Sequence, residues 1–117
     1  MSVRNVSDVP IEPVEAGKDT SRQVLIGPDE GPNFAMRRFI LAPGGSMPAH
    51  TNTVEHEQYV LRGRARVGIG ETTLEVGPDD VLFIPAGEAH FYEVLEAPFE
   101  FLCMVPNATD RIALLDE

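Results

Sequence analysis

Short apolar runs separated by glycine and proline are the feature that most limits what this chain can fold into. Ten glycines and ten prolines are spread along the 117 residues, and they stand between the runs instead of forming one low-complexity block. Both residues end regular structure and favour tight turns. Many short strands joined by turns are typical of an all-β domain, so the pattern predicts a barrel or a jelly roll.

The apolar runs predict eight strands with turn residues at their ends. Turns are expected at Pro43-Gly44-Gly45, Arg62-Gly63, Gly70-Glu71, Gly77-Pro78 and Pro85-Ala86-Gly87. A short helix is predicted over residues 110–115, within an acidic tail (110–117) that is expected to be solvated. The predicted strands are 23–26, 33–41, 56–61, 65–69, 72–76, 80–85, 91–95 and 99–105.

The length predicts one domain, because single domains most often have about 100 to 150 residues. Residues 1–20 are polar, carry prolines at positions 10 and 13, and show no helical period. They are predicted to form an extended N-terminal arm, of the kind that often packs on a neighbouring molecule. Residues 21–117 are predicted to form the barrel domain.

Charge and composition exclude several classes of function. The chain has 19 acidic residues against 9 lysines and arginines, a net charge of −10 that repels nucleic acid and anionic membrane surfaces. No apolar stretch approaches the roughly 20 residues that cross a bilayer, and the first residues lack the apolar core of a secretory signal. A cytoplasmic protein is therefore expected. The single cysteine, Cys103, excludes an internal disulfide and a paired-cysteine zinc site.

Alternation along two strands predicts which side chains point inward. In the last strand, Glu100 is expected to face water, which turns Phe99, Phe101, Cys103 and Val105 inward. Leu102 and Met104 share the face of Glu100, so that face is expected to be partly covered. The apolar run at 81–84 is typical of a strand buried on both sides. Together these patterns predict a homodimer.

The three histidines, His50, His56 and His90, all lie next to predicted strand ends or turns. His50 and Asn52 are two residues apart, so an extended chain places both on one face about 6 to 7 Å apart. His56 would lie roughly 20 Å from His50 on one straight strand, so the two can share a metal only if the chain bends between residues 51 and 54.

The spacing of these residues resembles the first motif of the cupin superfamily. That motif is a glycine, five residues, His-x-His, three residues, Glu, six residues and a glycine. Here it takes the form Gly44, five residues, His50-x-Asn52, three residues, His56, six residues and Gly63. Two ligand positions therefore differ from the usual motif.

The second cupin motif is a glycine, five residues, Pro-x-Gly, two residues, His, three residues and Asn. This chain has Asp79 and Val94 at the outer positions and keeps the core Pro85-x-Gly87-x-x-His90. Within the superfamily, the chain most resembles small bacterial manganese cupins that hold the metal with four histidines. The resemblance spans about residues 23–106 and is carried by Val24-Leu-Ile-Gly27, Pro32-Asn-Phe34, Pro43-Gly-Gly45, Glu55-His-Glu57, Tyr59-Val-Leu-x-Gly63 and Glu100-Phe-Leu-Cys103.

The resemblance implies an all-β, single-domain cupin barrel, a double-stranded β-helix of the jelly-roll type, with a metal in its mouth. It also implies a homodimer and oxygen-dependent chemistry on a small organic molecule. His50, Asn52, His56 and His90 are the implied metal ligands. Asn52 replaces a histidine, and its neutral carbonyl oxygen would either bind weakly or orient a metal-bound water. Mn or Fe is expected, although imidazole also binds Co, Ni, Cu and Zn.

Three further residues are candidates for a catalytic role. Tyr92 shares a face with His90 and is expected either to present its hydroxyl to a substrate or to anchor the barrel rim. Cys103 is expected to face inward, as a thiol beside the site or as a small buried filler. Of two adjacent arginines, Arg37 is predicted to point inward, where it would favour a ligand that bears a carboxylate.

Two kinds of function follow from these residues. The first is a metal-dependent enzyme, with an oxygenase-type oxidoreductase expected from the resemblance and an isomerase or lyase as the alternative. The second is a binding module without catalysis, in which the barrel holds a small molecule.

Overall fold

The computed structural model describes residues 1–115 and shows an all-β chain. Residues 116–117, the end of the predicted acidic tail, lie outside the described residues. Within the described part, a short 3-10 helix at Val6–Asp8 precedes eight strands. The strands are β1 (Glu12–Pro13), β2 (Lys18–Ile26), β3 (Phe34–Asn52), β4 (His56–Ile69), β5 (Thr72–Val76), β6 (Val81–Ile84), β7 (His90–Pro106) and β8 (Ile112–Leu114).

All strand pairs are antiparallel, and they form one rolled sheet in the order β1-β2-β3-β7-β4-β5. Strand β6 pairs with β4, and β8 pairs with β3. The prediction of an all-β barrel is confirmed. The three long strands β3, β7 and β4 are neighbours at the centre of the sheet, so their inward side chains define the interior.

Several predicted strand ends are wrong, because the chain passes through them with a bulge instead of a turn. Strand β3 continues through Pro43-Gly44-Gly45, and its pairing with β7 shifts register between Leu41 and Ser46. Strand β4 likewise continues through Gly63, where φ is +79° and a Cβ atom would lie 2.2 Å from the Pro98 carbonyl oxygen. A bulge bends a strand without ending its ladder, so glycine marks a bend here.

The C-terminal prediction is also wrong. Residues 112–114 form strand β8 instead of a helix, and their register sets Ile112 opposite Asn52 and Leu114 opposite His50. Pairing with the end of β3 satisfies backbone groups that a short isolated helix would satisfy poorly. At the other terminus, β2 begins at Lys18, two residues before the end of the predicted arm.

The core follows the alternation predicted for the last strand. Phe99, Phe101 and Cys103 are buried among apolar side chains of β3, β4 and β6. The prediction for 81–84 is wrong, because Leu82 and Ile84 are buried whereas Val81 and Phe83 are exposed. Strand β6 lies at an edge beside β4, so one of its faces remains open. Its apolar run covers the barrel on one side only.

Glu100 does not face water as predicted, since only 7% of it is exposed. Its carboxylate accepts a hydrogen bond from Arg38 at 2.5 Å, and Arg38 also donates to Gln23 at 2.6 Å. The amide of Gln23 donates to the carbonyl oxygens of Val6 and Val9 in the N-terminal arm. A polar network on the outer face of the sheet thus holds the arm against the barrel.

No helix within residues 1–115 is long and apolar enough to cross a membrane. The outer face of the sheet carries exposed apolar side chains, among them Tyr59, Val81 and Phe83. The homodimer and the cytoplasmic location stay predictions.

We expect Glu100→Gln to lower the free energy of unfolding by about 1 to 3 kcal/mol, because Arg38 would keep a half-buried charge without its partner. The measurement is urea unfolding at neutral pH. Glu96→Gln, on the same strand but in an exposed pair with Arg64, is the matched control and should change stability by less than about 1 kcal/mol. Equal effects of the two variants would contradict the role given to the network.

Candidate metal centre

Strand register brings the three histidines together. His50 and His90 are directly opposite each other on β3 and β7, and their ring centroids are 4.1 Å apart. His56 is the first residue of β4, and its ring lies 5.7 Å from that of His90. The chain bends between the end of β3 at Asn52 and the start of β4, which returns His56 to the same end of the barrel.

The turn at Pro85-Ala86-Gly87 ties the two motifs to each other. The backbone amide of Gly87 donates to the carbonyl oxygen of Asn52 at 2.8 Å. Gly87 has φ of +80°, a conformation that glycine adopts without strain. Three residues later, His90 begins β7 at the level of His50. The turn therefore fixes the position of His90 relative to the end of β3.

Hydrogen bonds to backbone carbonyls fix the tautomers of two imidazoles. The Nδ1 atom of His50 lies 2.8 Å from the Pro48 carbonyl oxygen, and Nδ1 of His90 lies 3.0 Å from that of Glu88. A carbonyl oxygen only accepts hydrogen bonds, so each Nδ1 carries the hydrogen. In the neutral ring, Nε2 then carries the lone pair that a metal requires.

Three polar atoms in this cluster are buried without a hydrogen-bond partner in the described part of the chain: Nε2 of His56, Nε2 of His90 and Oδ1 of Asn52. Buried polar atoms are nearly always paired, so a group of orphans indicates a missing partner. Nitrogen and oxygen lone pairs at one place are the donor set of a divalent cation. Yet no group of three or more His, Cys, Asp or Glu side chains in residues 1–115 is arranged closely enough to hold a metal ion as it stands.

The histidines line a small cavity of about 30 Å³, with Gln58 and Tyr92 in its wall. The remaining lining is apolar and comes from Phe39, Met47 and Phe101. A volume of this size holds roughly one water molecule or one ion. It is too small for an organic substrate.

Burial keeps the imidazoles of His56 and His90 neutral. It lowers the pKa of His56 from 6.5 to about 3, with further lowering from the charges of Arg37 and His90. Burial also lowers the pKa of His90 to about 4, against an opposing effect of its hydrogen bond to Glu88. Both rings are therefore uncharged at neutral pH, and the neutral imidazole is the form that binds metals.

Asn52 is held by a residue that sequence reasoning missed. Asp110 was predicted to lie in a solvated tail, but its carboxylate accepts a hydrogen bond from the Asn52 side-chain amide at 3.1 Å and another from the Thr53 backbone amide at 3.0 Å. Because the Asn52 nitrogen faces Asp110, its oxygen points to the other side, where it has no partner among residues 1–115. The two residues are 58 positions apart, so no local pattern could have linked them.

The three candidate catalytic residues are all in the barrel interior. Arg37, Cys103 and Gln58 are aligned across β3, β7 and β4, and both Arg37 and Gln58 donate to the Cys103 sulfur, at 3.3 and 3.5 Å. Burial raises the pKa of the Cys103 thiol, which favours the neutral form. The fully buried Tyr92 exchanges hydrogen bonds with the Gln58 amide at 2.7 and 3.0 Å, and burial raises its pKa.

Gln58 is the second residue that sequence reasoning missed. It lies two positions after His56 on one strand, so alternation alone would have placed both side chains on the same face. Its amide contacts both Tyr92 and Cys103, and its side chain lines the histidine cavity. The catalytic roles of Tyr92, Arg37 and Cys103 stay predictions.

Comparison with known proteins places this geometry in a family. The family model described as "Cupin domain" matches residues 37–105, which include all three histidines. The chain therefore belongs to the cupin family.

Individual relatives have different described activities. The chain is 30% identical over 101 residues to 1-methylthio-D-xylulose 5-phosphate methylsulfurylase from Rhodospirillum rubrum, which covers 86% of this chain and 64% of that relative. This chain thus spans less than two thirds of that protein. Among solved structures, the polyketide cyclase RemF from Streptomyces resistomycificus matches with 34% identity and a TM-score of 0.87, over 100% of this chain and 88% of that one. A cupin 2 conserved barrel domain protein from Rhodopseudomonas palustris matches with 28% identity and a TM-score of 0.83, over 93% and 79%.

We expect the metal-free protein to lose stability as pH falls from 6.5 towards 4. The unfolded chain protonates a histidine near pH 6.5, whereas folded His56 and His90 accept a proton only near 3 and 4. Below pH 6.5 the unfolded state therefore binds more protons, which costs about 1.4 kcal/mol per pH unit for each histidine. Urea unfolding in the presence of a chelator, at several pH values in this window, measures the slope.

The matched variant His56→Gln keeps a polar side chain without a titrating group. The free energy of unfolding of this variant should change less steeply with pH, by an amount that corresponds to about one proton, since only His90 would still contribute. An unchanged slope would show that other groups cause the acid sensitivity.

Proposed function

We propose that this cupin is a metal-dependent enzyme that acts on a small organic molecule. His50, His56 and His90 would hold a divalent ion, Mn or Fe first among the candidates, with Asn52 as a neutral fourth donor. The observation that carries the proposal is a set of buried atoms that have no partner within residues 1–115: Nε2 of His56, Nε2 of His90 and Oδ1 of Asn52. A barrel that binds no metal would have no reason to bury three unpaired lone pairs in one cluster.

The composition of the donor set determines the chemistry. When bound, the metal would act as a Lewis acid or redox centre with open coordination positions. The chain's own residues supply the rest. The Pro48 and Glu88 carbonyls fix two imidazoles as lone-pair donors, and Asp110 turns the oxygen of Asn52 inward.

Further into the barrel, the side chains exclude water and fix hydrogen bonds. Phe101 stacks on Tyr92 with ring centroids 5.2 Å apart and closes the cavity below the histidines. The Tyr92 hydroxyl remains protonated because burial raises its pKa, so it can donate but not act as a base at neutral pH. Its donation to Gln58 keeps it in place beside His90.

Within this class we propose an oxygenase-type oxidoreductase, on the strength of the resemblance to manganese cupins. Non-redox chemistry is the second candidate. It is favoured by the solved structure that matches over the whole chain at 34% identity, which is described as a polyketide cyclase and not as an oxygenase.

The first test is elemental analysis of the protein purified without a chelator or a metal-affinity tag. We expect about one Mn or Fe per chain, and at least a tenfold lower content in His56→Ala, because one of three imidazole donors is removed. Glu96→Gln, at an exposed surface pair, is the control and should keep the metal. No bound metal in the native chain, even after Mn²⁺ or Fe²⁺ is added, would overturn the proposal.

Metal exchange then separates the two kinds of chemistry. An oxygenase requires a redox-active ion, so oxygen consumption should occur with Mn or Fe and be absent with Zn. Full turnover of a substrate with redox-silent Zn would contradict the oxygenase and support the second candidate.

We expect Asp110→Ala to weaken Mn²⁺ binding about 10- to 100-fold, the usual cost of losing a residue that orients a ligand. Without the carboxylate, the Asn52 amide is free to turn its nitrogen towards the histidines. Isothermal titration with Mn²⁺ measures the affinity. Thr109→Ala is the matched control, because Thr109 contacts Thr53 only through its backbone carbonyl. Equal affinities in all three proteins would show that Asp110 has no part in orienting Asn52.

A further inference from the structure

Arg37 is a partly buried cation that has no counterion in the described part of the chain. Its Nε atom is buried and has no partner among residues 1–115, and its one hydrogen bond is donated to the sulfur of Cys103 at 3.3 Å. That sulfur belongs to a thiol whose pKa is raised by burial, so it carries no compensating charge. The guanidinium otherwise lies over the Phe39 ring, 5.0 Å from its centroid.

The isolation of Arg37 stands out against the other arginines. Of the seven other arginines, six have a carboxylate oxygen within 4.0 Å in the described part of the chain: Arg4, Arg22, Arg38, Arg62, Arg64 and Arg66. The seventh, Arg111, is exposed to solvent. The protein has 19 acidic residues, yet none of the described ones pairs with the partly buried Arg37. Burying a charge without a partner costs free energy, so an anion from outside would relieve that cost.

Next to Arg37 lies an open recess of about 430 Å³. Much of its wall is apolar and includes Val24, Ala35, Val54 and Val105. The recess reaches Asn52 through two lining residues: Val54 lies between Asn52 and His56 in the chain, and Asp110 is hydrogen-bonded to Asn52. Since the histidine cavity of about 30 Å³ has no room for an organic molecule, this recess is the adjoining space in which one fits.

Asp110 also lines the recess and limits the charge that it can accept. Its carboxylate already receives hydrogen bonds from Asn52 and Thr53, so it has little need of a further partner. A second negative charge on a ligand would meet this carboxylate. A second guanidinium in the wall, that of Arg22, is already paired with Glu12 at 2.8 Å. The guanidinium of Arg37, the apolar walls and one carboxylate together fit an anion with a single charge and a short apolar body.

We propose that Arg37 binds the carboxylate of the substrate, and that the substrate is a small monocarboxylic acid held in this recess beside the histidines. The identification of the ligand as substrate rests on the proposed function, whereas the anion site itself does not. A guanidinium offers two parallel N–H groups to a carboxylate, which also orients the acid. Arg37 would thus set the direction in which the apolar body lies relative to the histidines.

Butyrate is the probe, and butyramide is its neutral counterpart of nearly the same shape. Binding to the metal-free protein is followed by NMR titration of the backbone amide signals of the residues that line the recess, at low ionic strength. We expect butyrate to bind at least tenfold more tightly than butyramide, and Arg37→Gln to lose at least tenfold in butyrate affinity with little change for butyramide. Arg66→Gln, on the outer surface and paired with Glu93, should leave both affinities unchanged.

Equal butyrate affinity in native protein and Arg37→Gln would overturn the proposal, as would equal affinity for butyrate and butyramide in the native protein. Thermal unfolding without ligand provides a second readout. Because the substitution removes an unpaired charge, Arg37→Gln should be at least as stable as the native chain, and its stability should no longer rise with added butyrate. If Arg37→Gln does not fold, Arg37→Lys carries the test, with an expected three- to tenfold loss because a single ammonium replaces the fork.

The same titration with Mn²⁺ present separates this proposal from the proposed function. Metal binding together with an Arg37-independent butyrate affinity would refute the anion site and leave the metal centre standing. If the native protein takes up no metal and Arg37→Gln loses butyrate binding, the metal-dependent enzyme is refuted and the anion site stands.

Discussion

The register between β3 and β7 is the constraint on which the rest of the site depends. It sets His50 opposite His90, and the same ladder aligns Arg37 with Cys103 further along. A slip of one residue would turn each inward side chain to the outer face. A second register shift, between Met47 and His50, divides this ladder. Odd-numbered side chains such as Leu41 and Met47 are buried before it and His50 is buried after it, so the part that carries the arginine and the part that carries the histidines each keep their own inward set.

The fold and the histidine cluster were largely predictable because both depend on local patterns. Glycine and proline punctuation gave the all-β class, and motif spacing gave His50, His56 and His90. Local patterns failed where a distant segment decides the outcome. Glu100 is polar and alternates with buried residues, but Arg38 from another strand keeps it buried. The pairing of Ile112 with Asn52 likewise turned a predicted helix into a strand.

Turn residues were misread for a related reason. Glycine at φ of +79° marks both a chain reversal and a bulge, and only the partner strand distinguishes them. At Gly63 the backbone of Pro98 approaches too closely for any side chain, a contact that spans 35 positions in sequence. The exposed Val81 and Phe83 show the converse case, since apolar residues at an edge strand say little about burial until the neighbours of the strand are known.

The candidate donors differ in how firmly the fold holds them. The histidines belong to β3, β4 and β7, the long strands at the centre of the sheet. The orientation of the Asn52 oxygen instead depends on a C-terminal segment whose strand, β8, has three residues that are all exposed. Segments with few buried contacts open first. Local opening of this segment would therefore free the Asn52 side chain while the barrel stays folded, and hydrogen exchange at β8 would report on how firmly its oxygen is oriented.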